Sequence, residues 1–520
     1  MPDWNEGAII DLPPRRRFHR EVTPIWLVTA CHLLGSRAPS LNQPFRYADL
    51  GCGAGFDALT VAATCPRAEV WGFDFNPAQI EAARDLALQA GLTNVRFLEV
   101  SFAAMAAMRS DELPQFDFMI ADSVLSVISP ENQGHIHRLV GRLLRPGGLA
   151  YLGYSTDTGW TGFESLQTLM RMLYVAGTDA SDFAVAEILA RLDRLRSDGA
   201  SLFQRNPVLE RHLADLRSRP AGDLADEFLN QEWHALMFAD VADAMAAEKC
   251  DFLGRASLHE NIAAMSVPPE MLPLLDEAAS IRIRETMQDV AAATVYRRDI
   301  FRRGLAFPPV AEHHARLASI TVAATDHDPR AVLKFPGKFP GTVPGQPVAD
   351  PDLYQPLIAA VRDGPITVAT VQGLGALAGE PIEAAADAVA MLIAAGYAHP
   401  VMPELLSHEA VPSVTRLNDA IIDAIARGEP LFYLVSPVLG AAIETNPLEA
   451  LTIGALLVGH SPDDVDGLIE SVGLAMRQSG RSVVRDGAPV ADEPSILREL
   501  IARILQHRVP LFRALGVLRG

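Results

Sequence analysis

The chain has 520 residues, 49% of them hydrophobic and 21% charged, with a formal net charge of −20 at pH 7. That is too long for one hydrophobic core, and the composition is that of a folded protein of several domains, not of a disordered or fibrous chain. The acidic balance opposes a nucleic-acid partner, whose phosphates require a basic face, and no apolar run reaches the ~18 residues of a membrane-spanning helix.

The N-terminal MPDWNEGAII lacks the shape of a signal peptide, which points to a cytoplasmic protein. A basic group follows, Arg15, Arg16, Arg17 and Arg20, and reads as a solvated segment; an apolar helix is expected over Pro24–Leu34. From Arg46 to Asp74 the order is strand, glycine turn, helix, strand, acid. An apolar run at Tyr47–Leu50 leads to Gly51, Gly53 and Gly55, a helical pattern runs from Phe56 to Thr64, and a second apolar run from Val70 to Phe73 ends on Asp74. The glycines permit positive φ and a close approach of a ligand to the main chain. A helix starting at Gly55 is expected to present free amides to that ligand. Asp74, capping the neighbouring strand at its carboxyl end, can accept both hydroxyls of a ribose. The stretch reads as a nucleoside-cofactor site. The dinucleotide fingerprint requires a glycine at position 56, where Phe56 stands.

The spacing G-x-G-x-G, with Asp49 two residues before its first glycine, resembles the class I S-adenosylmethionine-dependent methyltransferases. The resemblance implies that Asp49 orients the methionine end of S-adenosyl-L-methionine and that Asp74 holds its ribose, with Gly51, Gly53, Gly55 and Phe75 completing that side. It implies a Rossmann-like, seven-stranded, doubly wound α/β sheet, and a helical lid made by residues 1–45.

Asn76-Pro77 starts a helix reaching Gln89. The third strand is expected at Val95–Val100, followed by Ser101-Phe102, where the family contacts adenine. The fourth is Phe116–Ala121, ending in Asp122-Ser123. A helix runs from Pro130 to Leu144, Arg145–Gly148 is a tight turn, and Leu149–Tyr154 is the fifth strand. These close a core of residues 46–160, with strands one to five parallel and wrapped by helices. Residues 161–235 read as a charged helical insertion over the carboxyl edge of the sheet. Residues 236–305 complete the sheet with a sixth strand at Cys250–Gly254 and a seventh over Ala293–Phe301. The runs FLNQEW, FADV, FLGRAS and TVYRRDIFRRG resemble the methyltransferase regulatory domain. It accompanies a subgroup of bacterial enzymes that includes the outer-membrane-protein lysine methyltransferases. The resemblance implies a protein substrate, such as an exported surface protein before export.

Residues 306–350, with KFPGKFPGTVPGQPVADP, read as a Pro/Gly linker. Residues 351–520 are expected to be mainly helical and to hold a winged-helix-like unit whose third helix is Ile382–Ala395. No Lys or Arg occurs between Asp363 and Thr415, so DNA binding is excluded in favour of a protein contact or a homodimer. Cys31, Cys52, Cys65 and Cys250 have no C-x-x-C spacing and the 14 histidines show no ligand set, so no disulfide framework or metal site is expected.

A methyltransferase must hold a lone pair in line with an already activated methyl group, and Asp122, Ser123 and Tyr154 stand after the strands that border it. The lysine-methyltransferase subgroup has His-Gly where this chain has Asp122-Ser123, and Tyr-Asn where it has Tyr154-Ser155. The cofactor residues are kept while the acceptor residues differ. A small-molecule acceptor, or a cofactor-binding interaction protein without turnover, therefore stand beside protein lysine as readings.

Overall fold

The computed structural model describes residues 4–518 apart from 110, 178, 305, 327–350, 483, 486–487 and 490–492. Seven strands form its main sheet: β1 (Arg46–Leu50), β2 (Glu69–Asp74), β3 (Val95–Glu99), β4 (Phe116–Ala121), β5 (Leu144–Ser155), β6 (Cys250–Arg255) and β7 (Tyr296–Arg303). Their order is β3-β2-β1-β4-β5-β7-β6, with β1 to β5 parallel and β7 antiparallel to both β5 and β6. This is the seven-stranded doubly wound sheet expected, with its last two strands where the pattern placed them. β1 is buried at every position after its first because sheet neighbours and helices cover it on all sides. The turn expected at Arg145–Gly148 is absorbed into β5, which starts at Leu144 and shifts register against β4 between Phe116 and Phe118.

Three helices matter for the site: α1 (Pro24–Leu33), α2 (Phe56–Thr64) and α3 (Pro77–Gln89). α3 starts where Asn76 accepts a hydrogen bond from the Ala78 amide and Pro77 fills the first turn. The insertion builds its own aromatic core: Trp160, Phe163, Phe228 and Trp233 meet with ring centroids 4.8–5.8 Å apart. Residues 8–19 are not helical; they run over the carboxyl edge of the sheet in extended or irregular form, and the one long N-terminal helix, α1, is packed into the core. The basic group is not a solvated segment. Arg15 and Arg17 pair with Asp223 at 2.5 and 2.8 Å, Arg17 also with Asp226 at 3.1 Å, and Arg16 with Glu429.

The C-terminal region packs on the α2 and α3 side of the sheet through the helix Glu404–Ala426, and Phe18, Phe56 and Tyr433 meet there at 5.8–6.5 Å. The supposed linker holds a helix, Val310–Ser319, and a strand, Thr321–Ala324; the run KFPGKFPGTVPGQPVAD lies outside the described residues. The strand pairs with Ala398–Pro400 and Ile366–Thr367 in a small antiparallel sheet. The helix–strand–helix–helix–strand order is present, but the third strand precedes the unit instead of following it. The third helix, Ile382–Ala394, buries Ala385, Val389, Leu392 and Ile393. With its third strand displaced, the winged-helix unit is not confirmed. No helix among the described residues is long and apolar enough to cross a membrane.

The second load on the sheet is a buried ion cluster between β6, β7 and the helix Ile281–Ala292. The Arg255 guanidinium meets Glu285 at 2.8 Å and Asp289 at 3.0 Å. That of Arg297 meets Asp289 at 2.7 Å, Asp299 at 2.8 Å and Glu285 at 3.0 Å. Both guanidiniums are withdrawn from water, so removing one partner leaves a buried charge uncompensated. Asp299→Ala is expected to destabilise the fold by about 3–5 kcal/mol, measured by urea denaturation followed through tryptophan fluorescence.

Candidate functional site

The carboxyl ends of β1 and β4 lie where the strand order reverses, the place at which an open α/β sheet leaves a crevice. After β1 the chain turns through Gly51 and Gly53, both at positive φ, +78° and +51°. The amides of Gly51 and Cys52 donate to the Phe73 carbonyl at 2.8 and 3.0 Å, and that of Gly55 to Cys52 at 2.9 Å. The amide of Gly53 donates to Asp74 Oδ2 at 2.9 Å, and Asn76 N–H to Asp74 Oδ1 at 2.9 Å. The turn therefore spends these amides internally. Asp57 also stands in the first turn of α2, so an anion there would meet a carboxylate. These features make a poor phosphate cradle. A Cβ on Gly53 would meet nothing closer than Gln79 at 3.9 Å, so this face of the turn is open, whereas a Cβ on Gly51 would strike Val124.

A cavity of about 610 Å³ occupies the crevice. Asp49, Gly51, Gly53, Asp74, Phe75, Ser101, Phe102, Asp122 and Ser123 all line it. Two expected residues do not. Gly55 faces Phe97 and Ala83, where it lets α2 approach β3 and α3. Tyr154 is fully buried, its hydroxyl donating to Asp299, and it packs in the core with Leu152 and Phe301. The reason is the two-residue period of a strand: Tyr151, Gly153 and Ser155 share the face that looks toward Asp122, and Leu152 and Tyr154 share the other.

The charges are arranged around Asp122. Its Oδ1 accepts from the hydroxyls of Tyr151 at 2.9 Å and Tyr296 at 3.0 Å, and its Oδ2 lies 3.4 Å from His19 Nδ1. Burial pushes the Asp122 carboxyl up, but His19, Arg298 and the two phenols outweigh it and hold the group below the usual carboxylate range. His19 Nδ1 also meets Asp57 at 3.0 Å. Burial lowers its pKa, and the neighbouring Asp122 and Asp57 more than offset this, bringing it up to about 9. Asp49 is different. It is 6% exposed, has no hydrogen-bond partner among the described residues, and is pushed well up by burial and by Asp57 and Asp122. A cation set against Asp49 would restore its charge. Asp74 is raised by burial, against the backbone amides of Asn76, Gly53 and Phe75 that favour its charged form, and its carboxylate still lines the cavity. The donor set suits a ligand that is cationic near β1 and carries hydroxyls near β2.

His19, Asp57, Tyr151, Tyr296 and Arg298 escaped the sequence reading. For β7 a signal existed: in Tyr296-Arg297-Arg298-Asp299 polar side chains fill both faces of a central strand, and each face needs its own partners. Ser123 adopts φ +58°, a left-handed conformation natural to glycine.

Two family models match the chain: a methyltransferase domain over residues 42–187, and a predicted methyltransferase regulatory domain over residues 221–303. The uncharacterized protein sll1526 of Synechocystis sp. is 29% identical over 99% of each chain. The trans-aconitate 2-methyltransferase of Methylobacterium radiotolerans is 32% identical over 38% of this chain and 66% of its own. Among solved structures, PKMT2 from Rickettsia typhi in complex with AdoHcy superposes with a TM-score of 0.67 at 18% identity, over 98% of this chain and 100% of the other.

Because the fold raises the Asp49 pKa, the stability that goes with its protonated form is present at low pH and is lost as pH rises through the raised value. Asp49→Asn removes that loss. The variant is expected to melt above the parent, with a gap that widens from pH 4 to pH 8 (~4 units of scan) in calorimetry of the ligand-free protein.

Proposed function

Because this chain is a class I S-adenosylmethionine-dependent methyltransferase carrying a methyltransferase regulatory domain, we propose that it methylates the side-chain amine of lysine in a protein. The observation that carries this reading is Asp122: a carboxylate held below its usual range in the wall of a cavity that is lined by more carboxylates than arginines. Such a wall attracts a basic polypeptide and repels an acidic small acceptor of the trans-aconitate kind. The fold likeness across both halves of the chain to a protein named PKMT2 supports the same class.

Bound S-adenosyl-L-methionine supplies a methyl group already activated by its sulfonium, so the protein chiefly positions the acceptor. In this reading Asp49 receives the ammonium of the methionine end. The Asp74 carboxylate receives the ribose hydroxyls. Phe75, Ser101 and Phe102 line the adenine end, and the open face of Gly53 leaves room for the chain between. Gly55 acts only by holding α2 in place. Asp122 and Ser123 face the acceptor nitrogen, where the Asp122 carboxylate stabilises the positive charge that arrives as the bond forms. The amine reaches the site neutral, its extra proton having left to water. Ser123 stands where the lysine-methyltransferase subgroup has glycine, and its left-handed backbone keeps the glycine-like path, which supports retained turnover over a silent site.

Incubation with cofactor labelled in its methyl group and with basic protein acceptors is expected to place label in methyl-lysine after acid hydrolysis. Label confined to small molecules would overturn the lysine assignment. Asp74→Ala is expected to weaken S-adenosylhomocysteine binding by about 1–3 kcal/mol, read by calorimetry, because both the hydroxyls and the glycine turn lose their acceptor.

A further inference from the structure

We propose that Tyr296, on the strand that the regulatory segment adds to the sheet, is a positioning residue of the active centre that fixes the Asp122 carboxylate and the Ser123 backbone against the methyl acceptor. This rests on Asp122 being the acceptor-side carboxylate, as above. The methyltransferase-domain match ends at residue 187, whereas Tyr296 lies in the segment matched as regulatory. That segment therefore enters the acceptor site and does not act on it only from a distance.

The Tyr296 hydroxyl accepts the Ser123 amide at 3.0 Å, lies 2.9 Å from Ser123 Oγ, and donates to Asp122 Oδ1 at 3.0 Å. One phenol thus holds both members of the Asp122-Ser123 pair. Tyr151 donates to the same Oδ1, so two phenols pin that oxygen, while Oδ2 accepts from Ser123 Oγ at 3.4 Å and faces His19 Nδ1 at 3.4 Å. The room for this arrangement comes from Gly153 on β5. A Cβ there would run into both the Asp122 carboxylate and the Tyr296 hydroxyl. The bond to the Ser123 amide also explains how a non-glycine residue is kept at φ +58°. Behind Tyr296, Arg297 and Asp299 anchor the strand in the buried ion cluster.

In the transfer, the lone pair of the neutral amine forms the N–C bond as the C–S bond breaks and its electron pair stays on sulfur. The positive charge moves from sulfur to nitrogen, on the side that faces the Asp122 carboxylate. The surplus proton on the product nitrogen leaves to water. Fixing the carboxylate matters because stabilisation of that charge depends on a preorganised acceptor.

The test is a cycle of Tyr296→Phe, Asp122→Asn and the double variant in the full chain, with poly-L-lysine as acceptor and S-adenosylhomocysteine as binding probe. Tyr296→Phe is expected to lower kcat by about tenfold or more, with the cofactor KM within about twofold. The acidic limb of its kcat profile moves to higher pH, because Asp122 loses a donor that favours its charged form while His19, Arg298, Tyr151, Asp57 and Asp49 still face it. In the Asp122→Asn background the same change is expected to alter kcat by less than about twofold. Two readouts do not depend on turnover. Tyr296→Phe lowers the melting temperature of the ligand-free protein more in the parent than in the Asp122→Asn background, and S-adenosylhomocysteine affinity stays unchanged. Equal effects in both backgrounds, or weakened S-adenosylhomocysteine binding with intact kcat, would overturn the proposal. If the parent transfers no methyl to poly-L-lysine, the lysine reading fails, and the melting and binding comparisons alone decide the Tyr296–Asp122 coupling.

Discussion

The antiparallel insertion of β7 between β5 and β6 is the constraint on which the site depends. It sets Ser155 opposite Tyr296 and Gly153 opposite Arg298. A slip of one residue would exchange the two faces of the strand, sending Arg297 and Asp299 toward the cavity and Tyr296 and Arg298 into the core. The ion cluster resists that slip. Two buried guanidiniums stay compensated only while Asp289, Glu285 and Asp299 remain in place. In this protein a buried salt-bridge network sets register, and the register delivers a phenol to Asp122.

The polarity of the crevice follows from how its backbone is satisfied. A glycine turn at the start of a helix commonly serves anions, because its amides are free. Here Phe73, Cys52 and Asp74 take those amides, and Asp57 adds a negative charge at the helix start. Among the groups facing the cavity are Asp49, which has no side-chain partner among the described residues, and Asp122, held below its usual range. A cationic sulfonium cofactor, and the basic acceptor proposed above, would answer both. The same local order of strand, glycines and helix thus serves an opposite charge once its hydrogen bonds close on themselves.

The N-terminal segment joins parts that are far apart in sequence. Arg15 and Arg17 reach Asp223 and Asp226 of the insertion, Arg16 reaches Glu429 of the C-terminal region, and His19 reaches Asp57 and Asp122. Arg16 is nearly buried, at 14% exposure of its side chain, so its pair with Glu429 sits in a lower dielectric than a surface pair and is screened less by salt. The roof over the cavity is therefore an irregular strap, held by these ion pairs together with the apolar contacts of Ile9, Leu12 and Phe18.

Much of this was legible in the chain itself. The alternation of apolar runs with helical periodicity, the Gly51-x-Gly53-x-Gly55 spacing and the two flanking acids determined the five parallel strands and the crevice, because local spacing dictates strand, turn and helix; the two further strands were expected from the family resemblance. The parity of β5 was not legible. Tyr154 and Tyr151 are three residues apart, and only the pairing with β4 and β7 decides which one looks toward Asp122. Nor could the chain alone show that Asp122, Ser123, His19 and Tyr296 would meet. They come from three segments, with His19 and Tyr296 277 positions apart, and the contacts between those segments arise from tertiary packing, to which no local pattern is sensitive.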